Sequence, residues 1–237
     1  MDQNHRAILL REHYATLLSF WESVLERTGY CAILLGAGHQ RFFFHDDQGP
    51  AFRPNPLMVQ WLAQEKISEN SWFIFAKGTD PILFFHQPDD FWHAATPAPQ
   101  LLNDHLSLRV FSDLGALQTA LQDHLKQCKS GGGEIAQISE DSTAAADGCV
   151  INPPAVIHAL HFQRACKTEY ELTSMRQASL RGAQGHRAAQ QAFSCGASEF
   201  EIHLAYLAAT GMNEWQLPYG NIIAQNHHAS LLHYQYQ

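Results

Sequence analysis

The chain has 237 residues, of which 46% are hydrophobic and 16% charged, a composition that can form a hydrophobic core and is not that of a disordered protein. Its formal net charge of −8 and its lack of a basic stripe argue against nucleic acid as a partner. The charged amino-terminus does not fit a signal peptide, and no run approaches the roughly 18 apolar residues of a membrane span.

Cysteine usage indicates the redox compartment. The five cysteines are scattered and include no C-x-x-C pair, so they predict neither a disulfide framework nor a zinc site. We therefore expect a reduced, cytoplasmic setting. The cysteines are Cys31, Cys128, Cys149, Cys166 and Cys195.

The amino-terminal pattern changes from helix to strand. Apolar residues spaced by three and four predict a helix over about 5–27, which ends at Gly29. A continuous apolar run over 31–35 predicts a strand that is covered on both faces. Three phenylalanines at 42–44 favour another strand, which the acidic pair after them would close.

The middle of the chain has the pattern of a mixed sheet. Apolar runs at 71–76 and 82–86, separated by a turn at Gly78, predict a hairpin. Further along we expect a strand at 106–111, a helix at 114–125 and a strand at 135–138. Strands alternating with helices in this way predict an α/β fold with mixed strand directions.

Three helices are predicted after residue 150. The first begins at Pro153-Pro154, and a domain boundary follows near Cys166. Residues 168–171 have the spacing of a capping box and would open a long helix to about Cys195. A second capping box at 198–201 would open a shorter helix.

The last stretch, residues 218–234, is patterned as two short strands joined by a polar turn. His233 lies in the second apolar run, and on pattern alone it is either a core histidine or one wall of a site. Such an apolar hairpin would leave unpaired strand edges, so we expect residues 219–234 to be exposed and the domain to be unfinished at this point.

Motifs in both halves resemble those of the bacterial Xaa-Pro dipeptidases (prolidases), a group that includes the organophosphorus acid anhydrolases. In the carboxyl-terminal part the matching residues are Lys167 to Leu172, Met175-Arg176, Ala178, Gly185-His186, Ala188-Ala189, Ser198 to Phe200, Ala205 to Leu207, Pro218-Tyr219, Asn221-Ile222 and Leu232 to Tyr234. In the amino-terminal part they are Asp46-Asp47, Phe52, Asn55-Pro56, Trp61, Gly78-Thr79 and Asp90 to His93.

This resemblance implies a fold and an activity. The fold class would be α/β, with a creatinase-like α/β domain over 1–165 followed by the first part of a pita-bread α+β catalytic domain over 166–237. The implied activity is the hydrolysis of dipeptides with a carboxyl-terminal proline, with a possible organophosphate-hydrolysing side activity. Two divalent metals, manganese in the family, would activate a bridging water.

The sequence departs from the family at the metal ligands. The family holds its metals with two aspartates, one histidine and two glutamates, whereas the last aspartate of this chain is Asp147. We therefore expect the chain to be truncated before the ligands, to bind no metal and to be inactive alone. His227, His228 and His233 offer only a weak zinc alternative, because no carboxylate accompanies them in this pattern.

The resemblance also implies site residues. His233 would be a catalytic group that binds the substrate or the intermediate, and Tyr219 and Leu232 would line the substrate pocket. In the family's homodimer, an aspartate and a tryptophan of the partner reach into that pocket, and Asp47 and Trp92 match those positions. On residue pattern alone, Asp47 would belong to a strand-end turn and Trp92 to an interface or core.

Two functional classes stay open on the sequence. The chain is either the front part of an Xaa-Pro dipeptidase or a non-catalytic product that acts only in dimerisation or partner binding. Closely spaced aspartates encoded beyond residue 237 would separate the two.

Overall fold

The computed structural model describes residues 3–63, 65–92, 94–100, 106–140 and 145–234, and of Gln3 the backbone alone. His93, one of the residues that carry the resemblance, lies outside the described residues. The chain forms two compact units, Met1–Tyr170 and Glu171–Gln237. The domain boundary expected at 165/166 stays a prediction.

The first unit contains a mixed sheet of six strands within its described residues. The strands are β1 (Ala32–Gly36), β2 (Trp72–Ala76), β3 (Ile82–His86), β4 (Ser107–Phe111), β5 (Ile135–Ile138) and β6 (Cys149–Ile151). Their order is β4-β3-β2-β1-β5-β6. Strand β2 is antiparallel to β1 and β3, whereas the other neighbouring pairs are parallel. The predicted mixed α/β sheet is therefore confirmed.

Six α-helices lie in the described residues. They are α1 (Gln3–Thr28), α2 (Pro56–Leu62), α3 (Leu114–Cys128), α4 (Pro154–Ala165), α5 (Glu169–Ser194) and α6 (Glu199–Thr210). Short 3-10 helices span Lys129–Gly131, Glu214–Gln216 and Asn226–Ser230. The capping box at Ser198 is confirmed, since its hydroxyl accepts from the Glu201 N–H and the Glu201 carboxylate accepts from the Ser198 N–H.

Strand β1 lies at the centre of the core because all five of its residues are buried. Its alternate side chains point to opposite faces of the sheet. Ile33 and Leu35 join the cluster under α1, α2 and α4, while Ala32 and Leu34 join the cluster under α3. The sheet is therefore covered on both sides, as the continuous apolar run of β1 predicted.

The strand predicted at 42–44 is wrong. These phenylalanines are in irregular or turn conformation, and their exposed fractions are 61%, 60% and 91%. Both edges of β1 are already paired, with β2 and β5, so this segment cannot pair with the strand that it follows. It folds back on itself instead, with the Phe43 N–H donating to the Gln48 carbonyl at 2.8 Å.

The hairpin predicted at 218–234 is also wrong. Residues 220–225 have no regular structure, residues 226–230 form a 3-10 helix, and the described part of the second unit contains no strand. Polar groups of this segment bond to the start of α6 rather than to each other across a hairpin. The Gln225 N–H donates to Glu199 Oε1 at 2.6 Å, and Gln225 Nε2 donates to the Ala197 carbonyl at 2.8 Å.

Two short elements, α2 and β6, were not predicted from the sequence. Helix α2 begins within the Pro54-Asn55-Pro56 run, which has the composition of a loop. In the structure Asn55 is its N-cap and Pro56 its first residue, and both positions suit a helix start. Strand β6, with only three residues, carries too little periodicity to be recognised.

Candidate functional site

The carboxylate of Glu199 is the main anchor of the carboxyl-terminal segment in the second unit. Glu199 is the first residue of α6. Its Oε1 accepts the Gln225 N–H and His228 Nδ1, at 2.6 and 3.0 Å, and its Oε2 accepts the Tyr234 hydroxyl at 2.9 Å. The rings of His228 and Tyr234 stack with centroids 4.6 Å apart. One carboxylate thus binds three donors of the segment 225–234.

These contacts change the acidity of the groups involved. The Gln225 N–H bond is the largest influence and lowers the pKa of Glu199. Burial is the second influence and raises this pKa, while the bonds from His228 and Tyr234 lower it further. Burial first, and then the hydrogen bond to Glu199, raise the pKa of Tyr234. The ionised carboxylate and the neutral phenol are therefore the forms that this arrangement favours.

A second anchor is His203, a buried residue of α6 that is 4% exposed. Its Nε2 lies 2.9 Å from Glu214 Oε1, and its Nδ1 lies 3.3 Å from Asn221 Nδ2. A carboxylate can only accept and an amide nitrogen can only donate. One neutral tautomer, with the proton on Nε2, satisfies both contacts and ties residues 214 and 221 to α6.

The predicted site residues of this unit lie between such anchors. Tyr219 lies between Leu217, which is buried, and Asn221, which bonds to His203. Leu232 and His233 lie between His228 and Tyr234, which both bond to Glu199. Tyr219 is 75% and Leu232 86% exposed, and His233 is exposed too. Within the described residues, these three side chains make no hydrogen bond, ion pair or ring contact. His233 is therefore not a core histidine of the second unit, and its catalytic role stays a prediction.

Asp47 lies in the turn that follows the three exposed phenylalanines of the first unit. The turn is closed by Asp46, whose Oδ1 accepts the Gln48 N–H at 3.0 Å. A Cβ on Gly49 would lie 1.8 Å from the Arg41 carbonyl oxygen, so glycine is required for this close approach. Asp47 itself is exposed, and the turn assignment agrees with its residue pattern.

Trp92 is 83% exposed, so the alternative that it packs in the core of this unit is wrong. Its backbone N–H donates to Asp90 Oδ1 at 2.7 Å. Its indole ring contacts the Phe91 ring edge-on, with centroids 5.1 Å apart. The loops that carry Asp47 and Trp92 follow β1 and β3, which run in the same direction because each is antiparallel to β2. Both loops therefore start at the same end of the sheet, where β1 and β3 finish.

The described residues do not fit the two-metal centre that the resemblance implies. No group of three or more histidine, cysteine, aspartate or glutamate side chains in this part of the chain could hold a metal ion. The three histidines at 227, 228 and 233 therefore form no zinc site among the described residues, and the Nδ1 of His228 is used by Glu199.

Comparison with known proteins assigns the family. The family model described as "Xaa-Pro dipeptidase, N-terminal domain" matches residues 8–162, which is more than half of the chain. The chain belongs to the Xaa-Pro dipeptidase family. The recognition made from the motifs is thereby confirmed.

Curated members of the Xaa-Pro dipeptidase family match nearly the whole chain. The Xaa-Pro dipeptidase of Stenotrophomonas maltophilia is 35% identical over 235 residues, covering 99% of this chain and 51% of that protein. That of Pectobacterium atrosepticum is 38% identical over 232 residues, covering 96% and 51%. Xaa-Pro dipeptidase 2 of Idiomarina loihiensis is 37% identical over 225 residues, covering 94% and 50%. The chain spans about half the length of these relatives.

A solved structure has the same fold. A protein from Bacillus anthracis assigned as an aminopeptidase P superposes with a TM-score of 0.55 at 13% identity, covering 83% of this chain and 52% of that one. The expected α/β class, a creatinase-like domain followed by the first part of a pita-bread domain, is confirmed. No described helix is both long and apolar enough to cross a membrane.

Sequence reasoning missed the role of Glu199. It recognised the capping box of the same helix turn, but that box uses Glu201. An acidic residue in the first turn of a helix is common, since the helix dipole favours it there. The only distinguishing signal was a second glutamate in that turn, and nothing local connects it with donors 26, 29 and 35 residues further along the chain.

Proposed function

We propose that this chain takes part in the hydrolysis of dipeptides with a carboxyl-terminal proline. The observation that carries the proposal is the 35–38% identity to Xaa-Pro dipeptidases along 94–99% of the chain. The relatives are about twice as long, so the proposal concerns the part of the site that these residues contribute. Organophosphate hydrolysis, which the resemblance also implies, is proposed as a side activity.

The site residues have distinct roles in this proposal. Tyr219 and Leu232 line the pocket for the dipeptide, and their exposure leaves both side chains accessible to a ligand. His233 donates a hydrogen bond to the oxyanion that forms when the carbonyl before proline is attacked, an interaction that is strongest in the transition state. Asp47 and Trp92 come from the second subunit of a homodimer and close the pocket.

Two divalent metals, manganese in the family, belong to the proposed reaction, where they would supply the activated water. The described residues contain no group that fits them. In this proposal the described residues contribute substrate binding and stabilisation of the intermediate.

The proposal is tested in a chimera in which residues 1–237 replace the aligned half of the Stenotrophomonas relative. We expect manganese-dependent hydrolysis of Leu-Pro. His233→Ala in this chimera should lower kcat by about 100-fold or more, since loss of one oxyanion donor has an effect of that order. His227→Ala is the matched control, because this neighbouring histidine is also exposed and has no assigned role. A folded chimera without activity, or with equal activity in both variants, would contradict the proposal.

For the 237-residue chain alone, we expect no release of proline from Gly-Pro or Leu-Pro, with or without added manganese. The physical reason is that its described residues provide no metal cage. Proline release measured against the full-length relative as a positive control checks this. Turnover that appears on addition of manganese would show the expectation to be wrong.

A non-catalytic role in dimerisation or partner binding is the second candidate. It is favoured by the exposed aromatic pair Phe91 and Trp92, with exposed fractions of 90% and 83%. We expect Trp92→Ala to weaken self-association by about 10–100-fold, as for an aromatic interface anchor. Sedimentation equilibrium measures this, with Trp215→Ala, another exposed tryptophan, as the control. A monomeric wild-type chain would argue against this role and against the homodimer.

We also propose a cytoplasmic location. All five cysteines are free, and three of them are partly buried. Burial is the largest influence on the pKa of Cys31, Cys128 and Cys149 and raises all three, which favours the unreactive thiol. Unpaired thiols suit a reducing compartment.

A further inference from the structure

The segment 225–234 is attached to α6 mainly through one side chain. Its Gln225 N–H, His228 imidazole and Tyr234 hydroxyl all donate to the Glu199 carboxylate, at 2.6, 3.0 and 2.9 Å. Most of the remaining bonds of the segment are internal, such as His228 N–H to the Gln225 carbonyl and Leu231 N–H to the His228 carbonyl. The bond from Gln225 Nε2 to the Ala197 carbonyl is an additional link to the residues before α6.

The attachment points enclose the predicted site residues. Leu232 and His233 follow His228 and directly precede Tyr234, and both of these enclosing residues bind the same carboxylate. The carboxylate is well shielded, with an exposed side-chain fraction of 13%. Because the chain is fixed on both sides of Leu232 and His233, the positions that these two side chains can take are restricted.

We propose that Glu199 is a carboxylate latch that holds segment 225–234 on α6 and releases it when the carboxylate is neutralised. Through this latch, Glu199 acts as a positioning residue for Leu232 and His233. The latch itself rests only on the contacts described above, whereas the positioning role rests on the proposed function.

Neutralisation removes the negative charge that strengthens the bonds from all three donors. A protonated carboxyl group keeps one carbonyl acceptor and gains a donor, so it cannot satisfy the three bonds equally. The groups that face Glu199 are the Gln225 N–H, His228 and Tyr234, and His227 packs against His228 with centroids 4.2 Å apart. Protonated His228 becomes a cation and then pairs with the carboxylate, so His228 does not open the latch on acidification.

The pH dependence follows from the depressed pKa of Glu199, whose largest cause is the Gln225 N–H bond. A carboxyl group with a lowered pKa in the folded state contributes stability above its ordinary value of 4.5 and loses it as the pH falls through the lowered value. Release is therefore expected in acid, below pH 4.5, while the segment stays attached at neutral pH.

The test compares Glu199→Gln with Glu201→Gln in the 237-residue chain. Both replace a glutamate in the first turn of α6, but Glu201 bonds to Ser198 and not to the segment. Hydrogen exchange is followed at the Gln225 amide and in peptides covering 225–234, with rates corrected for intrinsic exchange and with α6 peptides as an internal reference. We expect about tenfold or faster exchange in Glu199→Gln and wild-type protection of the segment in Glu201→Gln, consistent with the loss of hydrogen bonds to a charged group.

The pH dependence of protection and a Tyr234→Phe variant test the latch further. In wild type, protection at Gln225 should fall below pH 4.5 before that of α6, whereas Glu199→Gln should lack this step. If Glu199→Gln unfolds α6, Tyr234→Phe removes a single donor and should give a smaller release. Equal protection in both glutamine variants, or simultaneous loss of the segment and α6 in acid, would overturn the latch.

The positioning role has its own readout in the NMR signal of the His233 ring. This signal should shift with the release of Gln225 in Glu199→Gln and stay unchanged in Glu201→Gln. An unchanged His233 signal despite release would overturn the positioning role. Because none of these measurements uses catalysis, failure of the latch and failure of the proposed dipeptidase role are distinguishable.

Discussion

Replacing Trp61 with alanine is expected to lower the free energy of unfolding of the first unit by about 3–5 kcal/mol. Trp61 is 0% exposed, and its ring lies 5.3 Å from that of Trp21 and 5.2 Å from that of Phe73. Its indole N–H is buried without a hydrogen-bond partner in the described residues, so the substitution removes packing and no hydrogen bond. The loss comes from apolar burial and from the cavity left among aromatic rings.

Urea denaturation followed by circular dichroism measures this effect. Trp215→Ala is the matched control, since the same atoms are removed at a position that is 62% exposed. This control should change stability by less than about 0.5 kcal/mol, as is usual for surface substitutions. Similar urea midpoints for the two variants would contradict the assignment of Trp61 to the core.

Gly185→Ala is expected to destabilise the packing of α5 against α6 by about 1–3 kcal/mol, the range for overpacked sites. A Cβ at Gly185 would lie 2.6 Å from Tyr206 Cε2 and 2.7 Å from Thr210 Cγ2, so both side chains would have to move. The aromatic ring of Tyr206 is rigid, and the Thr210 hydroxyl is bonded to carbonyls of the preceding turn of α6. The steric cost should exceed the helix-propensity gain of about 1 kcal/mol.

Gly182→Ala on the same helix separates the two contributions. A Cβ there meets nothing within 4 Å, so only the propensity gain remains and the thermal midpoint should rise. Thermal denaturation of both variants, followed at a helical circular dichroism band, makes the comparison. A higher midpoint for Gly185→Ala than for wild type would show that α5 and α6 are not closely packed at this position.

The helices and strands that could be predicted from the sequence are those whose burial gives a clear pattern of apolar residues. The apolar run over 31–35 corresponds to β1, and the two runs around Gly78 correspond to β2 and β3. These strands were predicted correctly because they are buried under other elements, which requires a continuous run of apolar residues. The phenylalanines at 42–44 broke this rule, since they are apolar but exposed. Apolar composition shows that a segment suits a sheet, but pairing also needs a free neighbouring strand.

The candidate site was only partly accessible from sequence. His233, Tyr219, Leu232, Asp47 and Trp92 were proposed through the family resemblance, and their roles stay predictions. The way the structure holds three of them was not foreseen, because a hairpin was expected to position residues 219–234. Side-chain bonds to Glu199 and His203 do this instead, and such long-range polar contacts have no sequence period.

The central place of β1 has a consequence for synthesis on the ribosome. Its partner β2 follows it closely in the chain, but its other edge pairs with β5 through the register Ala32 to Ile135. At a translation rate of about 5–20 residues per second, several seconds pass between the emergence of these two partners. During that time the nascent chain exposes one unpaired edge of its most buried strand, and in this interval it is most open to wrong association.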